Sequence, residues 1–333
     1  MAAAENQTVQ VVADIGGTNA RFACVRSGDR VTGSEDIQAV KKFACANYPH
    51  FEEAVRSYLA WGEAHGHLAR VERICLAVAG PVGQDWIDLP NNHWAFSVRA
   101  LEQSLGLPVT IINDFSAQIL SIQALGADDL LWLGNARPVA NASGVTAVVG
   151  AGTGLGVSAL TSGGEILPSE GGHVSFAPVN AHQAAILGQL WQRYERVSVE
   201  RLLSGMGLAN LYWANACLEG AEKTLSAPEI TAGARTGDAL CKRTIEDFCA
   251  ILGSVAGDAA LMIGAYDGVY LSGGILPQML DLVDTDLIRR SFDHKGRFSD
   301  LCAAIPLAII TAAEPGLIGC AQALRLSCAT APS

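Results

Sequence analysis

The chain has 333 residues and a formal net charge of −11, from 33 acidic and 22 basic side chains. Half of its residues are hydrophobic and 17% are charged, enough apolar material for two domains or one large one. A nucleic-acid binder needs a basic face, so the acidic balance argues against that class; the late apolar runs are broken by Asp258, Pro306, Glu314 and Pro315, so no uninterrupted membrane-length span is expected.

The start, Met1-Ala2-Ala3-Ala4-Glu5-Asn6-Gln7, lacks the basic and apolar regions of a secretory leader. The nine cysteines are odd in number and form no C-x-x-C pair. Together these features point to a reduced, cytoplasmic protein without structural zinc. Residues 8–30 predict a β-hairpin: Val11-Val12-Ala13-Asp14-Ile15 is an apolar strand ending on a carboxylate, Gly16-Gly17-Thr18 is the turn, and Phe22-Ala23-Cys24-Val25 is the return strand. A glycine turn of this kind exposes backbone N–H groups that cradle phosphate, because glycine admits close approach and unusual φ. Asp14 stands where a carboxylate holds a divalent cation through water.

Helical spacing follows over residues 51–61, then a buried strand at 74–79 that stops at Gly80-Pro81. A short helix is expected at 101–105 and a strand at 108–112 that ends on Asn113-Asp114, with a helix after it at 116–125. This order is that of an α/β layered domain. A second glycine hairpin opens near Thr146, as Ala147-Val148-Val149-Gly150-Ala151-Gly152-Thr153-Gly154-Leu155-Gly156-Val157, and a further hairpin is expected around Gly163-Gly164. Helices are predicted at 184–195, 199–203, 208–218 and 239–263, strands at 269–272 and 306–310, and a last helix at 316–326 that packs back on the first domain. No low-complexity linker separates the halves, so the domain junction is read as a hinge of crossing segments, with a small domain of residues 1–115 plus about 316–333 and a large one of 116–315.

Three nucleotide signatures are absent. Gly-Lys does not occur, which rules out a P-loop; the Gly150 run lacks the spacing of a dinucleotide fingerprint; no H-R-D or D-F-G is present. What remains is a phosphate site made of two hairpin turns with hydroxyls from Thr18 and Thr153, and Ser272-Gly273-Gly274 after a third apolar strand. Asp114 at a strand end suits either a helix cap or a general base beside a hydroxyl substrate. Glu170-Gly171-Gly172-His173 suits hydrogen bonding to a polyol, a surface turn or a metal pair. Glu200, taken alone, reads as a carboxylate complementing a helix dipole. His50, His65, His67, His182 and His294 have no partners at catalytic spacing, and Trp191 and Trp213 fall on helical apolar faces as packing residues.

In this order the motifs resemble those of the bacterial glucokinases, within the hexokinase/actin-like ATPase superfamily. The resemblance rests on residues 14–21, Ile112-Asn113-Asp114-Phe115, residues 150–156, Glu170-Gly171-Gly172-His173 and Leu271-Ser272-Gly273-Gly274. Pro90-Asn91-Asn92-His93-Trp94-Ala95-Phe96 and Glu200-Arg201-Leu202-Leu203-Ser204-Gly205 strengthen it. It implies a duplicated, two-lobed actin-like ATPase (ribonuclease H-like) fold with the active site in the interdomain cleft. The implied reaction is ATP-dependent phosphorylation of the glucose 6-hydroxyl, with Mg²⁺. Asp114 would be the catalytic base; Asn113, Glu170, His173 and Glu200 would hold other sugar hydroxyls. Asp14, Ile15, Gly16, Gly17, Thr18 and Asn19, with Gly152, Thr153 and Gly154, would face the phosphates, and Gly273 and Gly274 the adenosine. Arg21 would reach a phosphate or form a salt bridge within the hairpin. The related repressor–kinases carry a cysteine zinc motif after the histidine; here Ser175-Phe176-Ala177-Pro178-Val179 follows, which again implies no zinc. A homodimer is common for this resemblance. The alternatives are a kinase for another hexose, a non-catalytic sugar-responsive regulator on the same fold, and a chaperone or filament protein of the superfamily, for which the length leaves no room.

Overall fold

The computed structural model describes residues 8–89, 92–140 and 142–329, with side chains at the C-terminal end through residue 327. Met1–Gln7, where the missing leader was read, therefore lie outside the described residues, as do Pro90, Asn91 and the Cys328 side chain. The chain forms two compact units, residues 1–130 with 312–333, and residues 131–311.

In the first unit β1 (Thr8–Ile15) turns through Gly16-Gly17-Thr18 into β2 (Asn19–Arg26), and β3 (Gln38–Ala44) pairs beside it. β1 is buried on both faces, which is why it reads as a continuous apolar run and not an alternating one. β3 is an edge strand; Lys41 and Lys42 on it discourage further pairing. Then come α1 (Phe51–Ala64), β4 (Arg70–Val78), the small hairpin of β5 (Trp86–Asp88) and β6 (Ala95–Ser97), α2 (Val98–Leu105), β7 (Val109–Asn113) and α3 (Asp114–Ser121). The sheet order is β3-β2-β1-β4-β7, antiparallel among the first three and parallel onward. Phe22, Phe51, Tyr58, Ile74 and Trp94 fill its core. The C-terminal helix (Pro315–Ala329) belongs to this unit and packs on α3 and on β1.

The second unit holds β8 (Leu130–Trp132), β9 (Val145–Ala151), β10 (Leu155–Thr161), β11 (Ile166–Ser169), α4 (Ala181–Leu190), α5 (Gly205–Leu218), α6 (Ala227–Arg235) and α7 (Ala239–Ile263). It continues with β12 (Gly268–Ser272), α8 (Ile275–Gln278), α9 (Thr285–Asp293), α10 (Ser299–Ala304) and β13 (Leu307–Ile310). The sheet order is β11-β10-β9-β12-β13-β8. Its first five strands repeat the order and directions of the first sheet: three antiparallel, then two parallel. α7 runs 25 residues because both ends are fixed. Asp238 Oδ1 accepts from Cys241 N at 2.8 Å at its start, and Gly264, with φ +73°, stops it in the left-handed region.

Two sequence expectations fail here. The helix expected at 199–203 is a single 3₁₀ turn, Val199–Arg201, because Ser204 caps the next helix, α5. Trp191, expected in the core, is 59% exposed: α4 ends at Leu190, one residue short, whereas Trp213 inside α5 is buried. Among the described residues the cysteines are free, and no helix is long and apolar enough to cross a membrane.

Candidate active site

Parallel pairing in the first unit gathers the chemistry at one end of its sheet. In register, Asp14 lies beside Ala77 and Ala77 beside Ile112, so the chain leaves β1 and β7 at the same level, where ligands collect in open α/β sheets. Asn113 is the cap of α3: its Oδ1 accepts from Phe115 N at 2.9 Å and Ser116 N at 3.3 Å, and its Nδ2 donates to Gly80 O at 3.2 Å. The cap duty open to Asp114 thus falls on its neighbour. Asp114 is the first helical residue; Oδ1 accepts from Phe115 N at 3.0 Å. Burial, then the negative charge of Asp14, push its pKa up to about 6, against the hydrogen bonds that lower it. A carboxylate with that value is poised to accept a proton near neutral pH.

Asp14 is itself raised by burial, opposed by the nearby Arg21 guanidinium. Arg21 stands opposite it across the hairpin, and its Nε contacts Glu314 Oε1 at 3.0 Å, so the structure gives Arg21 an ion-pair partner inside the unit. The Gly16-Gly17-Thr18 turn closes through Gly16 N to Asn19 O at 3.0 Å; Ile15 is buried, Asn19 half-buried, and Gly17 and Thr18 exposed.

In the second unit the corresponding turn closes through Gly152 N to Gly154 O at 2.8 Å, with Thr153 exposed. The unusual φ expected of these turns is not needed: none of Gly16, Gly17, Gly152 and Gly154 has positive φ. At Gly154 the missing side chain leaves room for a carboxylate instead. A Cβ on Gly154 would lie 2.5 Å from Glu200 Oε2. Gly273 does need its freedom, with φ +95° and an imagined Cβ only 2.2 Å from Ala151 O, so β12 ends in a turn pressed against β9. The backbone N of Gly274 is 3.9 Å from a Cβ built on Gly152, which brings the two glycine turns of this unit side by side.

Glu200, His173 and Glu170 also meet in the second unit. His173 Nδ1 is 4.0 Å from Glu200 Oε1, and Nε2 is 4.0 Å from Glu170 Oε2. Glu170 is 90% exposed and Glu200 only 26%, because Glu200 Oε2 accepts from Leu155 N at 3.0 Å, on the side of the second glycine turn. That leaves Oε1 for a hydroxyl. Sequence reading missed the residues that set this cluster. Ser204 Oγ donates to Glu200 O at 2.8 Å, Gly205 N donates to Gly152 O at 2.9 Å, and Arg196 Nη2 donates to His173 O at 2.6 Å. The only sequence trace was the Ser-Gly cap signature at 204–205. His182 lies apart, paired at 3.0 Å with Asp247, a structural contact between α4 and α7. Among the described residues no group of three or more His, Cys, Asp or Glu could hold a metal ion.

Comparison with known proteins agrees with these motifs. The model of the family described as Glucokinase matches residues 11–327. A glucokinase of Chromohalobacter salexigens is 42% identical over 321 residues, covering 95% of this chain and 97% of the relative. The crystal structure of a glucokinase from an Antarctic psychrotroph superposes with a TM-score of 0.83 at 35% identity, over 96% of this chain and 99% of that one. A ROK family glucokinase from Streptomyces griseus, solved with glucose and AMPPNP, shares the fold at a TM-score of 0.65 and 21% identity, over 96% and 99% of the two chains. With the family's model matched along almost the whole chain and a relative this similar end to end, the chain belongs to the glucokinase family.

Proposed function

We propose that the chain transfers the γ-phosphoryl group of ATP to the 6-hydroxyl of glucose. The observation that carries the reading is Asp114, a half-buried carboxylate with a pKa near 6 at the end of β7, on the same sheet end as the Gly16-Gly17-Thr18 turn. In this reading Asp114 orients the 6-hydroxyl and accepts its proton. Asn113, Glu170, His173 and Glu200 hold the remaining hydroxyls. Gly16 to Asn19 and Gly152 to Gly154 face the phosphates, with the Gly17 and Thr18 N–H groups and the Thr18 and Thr153 hydroxyls as donors, since Gly16 N and Gly152 N close their own turns, and Gly273 and Gly274 lie along the adenosine. Phosphoryl transfer runs through a loose transition state, so positioning and charge neutralisation supply most of the acceleration. The 42% identical Chromohalobacter relative, itself named a glucokinase, supports the same substrate.

Mg²⁺ fits this donor set, since it binds through one or two carboxylates plus substrate phosphates and needs no all-protein cage. Asp14, half-buried beside the first turn, is the residue that would hold it through water, where the ion would neutralise charge on the phosphates. No zinc has a role in this reading. The repeated strand order of the two sheets supports a duplicated actin-like fold, with the N-terminal segment and the C-terminal helix as the small lobe. A cytoplasmic homodimer completes the proposal.

The test is ADP release, coupled to an oxidisable cofactor, with glucose, mannose, fructose and N-acetylglucosamine as acceptors. Glucose is expected to give the highest kcat/KM, and ADP release without sugar to be slow because closure excludes water. Turnover with none of the four sugars refutes the reading; a preference for another hexose corrects its substrate.

Gly154→Ala probes the sugar side separately. The added Cβ meets only the far end of the Glu200 side chain, so the fold accommodates it and the carboxylate is displaced. The expected result is a rise of roughly tenfold or more in KM for glucose, the cost of about 1–3 kcal/mol for one misplaced polar partner, with little change in melting temperature. An unchanged KM would remove Glu200 from the sugar site.

A further inference from the structure

The first glycine turn does not hold its shape alone. The Gly16 carbonyl accepts from Asn92 Nδ2 at 3.1 Å and from the Cys45 thiol at 3.8 Å, and the Thr18 carbonyl accepts from Cys45 N at 2.9 Å. Two segments distant in sequence thus grip the carbonyls of the turn. The peptide unit is planar and trans, so the carbonyl of Gly16 and the N–H of Gly17 point in opposite directions. Holding the first toward Asn92 aims the second away from the protein, and among the described residues the N–H groups of Gly17 and Thr18 have no partner. A turn whose donors are free while its carbonyls are tied back has the polarity that an anion requires.

Asn92 is itself fixed. Its N donates to Leu89 O at 3.0 Å, and its Oδ1 accepts from Trp94 N at 3.3 Å. Trp94 is 1% exposed, and its indole N–H donates to Tyr48 O at 2.9 Å, three residues from Cys45. The Asn92 amide therefore approaches Gly16 with both of its faces already oriented.

We infer that Asn92 is a positioning residue for the triphosphate: by holding the Gly16 carbonyl it sets the direction of the Gly17 N–H. The inference rests on the reading of the first glycine turn as a phosphate site. It adds a residue that touches neither sugar nor nucleotide, and it predicts an effect on one substrate only. A merely structural asparagine would weaken both substrates together or neither.

The experiment compares the full-length protein with Asn92→Leu, which keeps the branched side-chain shape and removes the donor without adding charge, and with Cys45→Ala, which removes the weaker thiol contact. Calorimetry gives the Kd for MgAMPPNP and, separately, for glucose without nucleotide; kinetics give both KM values and kcat. Asn92→Leu is expected to raise the Kd and KM for the nucleotide by roughly tenfold, the usual cost of one lost hydrogen bond to a fixed carbonyl. Glucose affinity should stay within about twofold, and Cys45→Ala should shift the nucleotide alone by about two- to threefold. An unchanged nucleotide Kd in Asn92→Leu, or an equal loss for glucose, overturns the inference. Should Asn92→Leu fail to fold, an unchanged nucleotide Kd in Cys45→Ala overturns it instead. A wild-type protein that binds MgAMPPNP but phosphorylates no sugar would refute the proposed reaction and leave the role of Asn92 to be decided by the nucleotide Kd.

Discussion

Asp114→Asn is expected to lower kcat by roughly 10²–10⁴-fold, the usual contribution of a positioned general base, while glucose affinity changes only a few-fold. The substitution is nearly isosteric, and an amide oxygen can still accept from Phe115 N, as Asp114 Oδ1 does at 3.0 Å. The lost quantity is therefore basicity and not shape. Wild-type turnover in this variant would exclude Asp114 from the chemistry.

The raised pKa gives the same residue two pH signatures of opposite sign. For catalysis the ionised form is needed, so kcat/KM should fall about tenfold per pH unit below about 6, and this acid limb should disappear in Asp114→Asn. For stability the folded pKa, about 6, lies above the ordinary 3.8. Between those values the folded state binds more protons than the unfolded one, so stability falls as pH rises through this window. Above pH 6 the ionised, half-buried Asp114 costs the fold on the order of 2–3 kcal/mol. The asparagine variant is accordingly expected to melt a few degrees higher than wild type at pH 7.5 and to lose that advantage near pH 4. A variant both dead and more stable is the mark of a strained functional group; an inactive variant that is less stable would point to a structural one.

Gly319→Ala is expected to be the most destabilising small change in the first unit. Gly319 lies in the C-terminal helix where it crosses α3, and a Cβ there would sit 1.8 Å from Ala117 O and 2.5 Å from Ala117 C. Both are backbone atoms, so the helices must move apart. Overpacking of this kind costs about 1–3 kcal/mol and at times more, and urea unfolding should place Gly319→Ala at or beyond the upper end of that range. Activity should fall as well, because α3 begins at Asp114 and a displaced helix carries that carboxylate with it. Gly188→Ala is the control: a Cβ in α4 meets nothing within 4 Å, and the change should stabilise by about 0.5–1 kcal/mol. Equal stability in the two variants would show that the crossing is looser than its geometry.

The glycine hairpins were legible because their apolar strands are local and their turns short. β1 and β2 and β9 and β10 fall where continuous apolar runs and glycine place them, and α7 follows from its long apolar periodicity. Two candidate residues were legible as types at strand ends, Asp14 after an apolar run and Asp114 after another, and Glu200 as a carboxylate before Ser204-Gly205. Less visible was which neighbour takes which duty. Asn113 and Asp114 both suit an N-cap, and only the backbone path gives the cap to Asn113 and makes Asp114 the first helical residue. Glu200 reads as a helix-dipole residue until β10 is folded beside it, when its carboxylate meets Leu155 N. β3 escaped notice because an edge strand with exposed lysines lacks the apolar signal of a central one.

By itself, then, the sequence determined the local elements of this protein: two glycine turns, the carboxylates near them and the apolar strands on which they ride, all properties of residues within a few positions of one another. Tertiary structure decided what those groups are worth. The rise of Asp114 toward pH 6, the tethering of Gly16 by Asn92 and Cys45, and the crowding of Gly319 against Ala117 each depend on segments tens to hundreds of residues apart. Desolvation, hydrogen-bond direction and steric contact act through space, and spacing along a chain does not encode them.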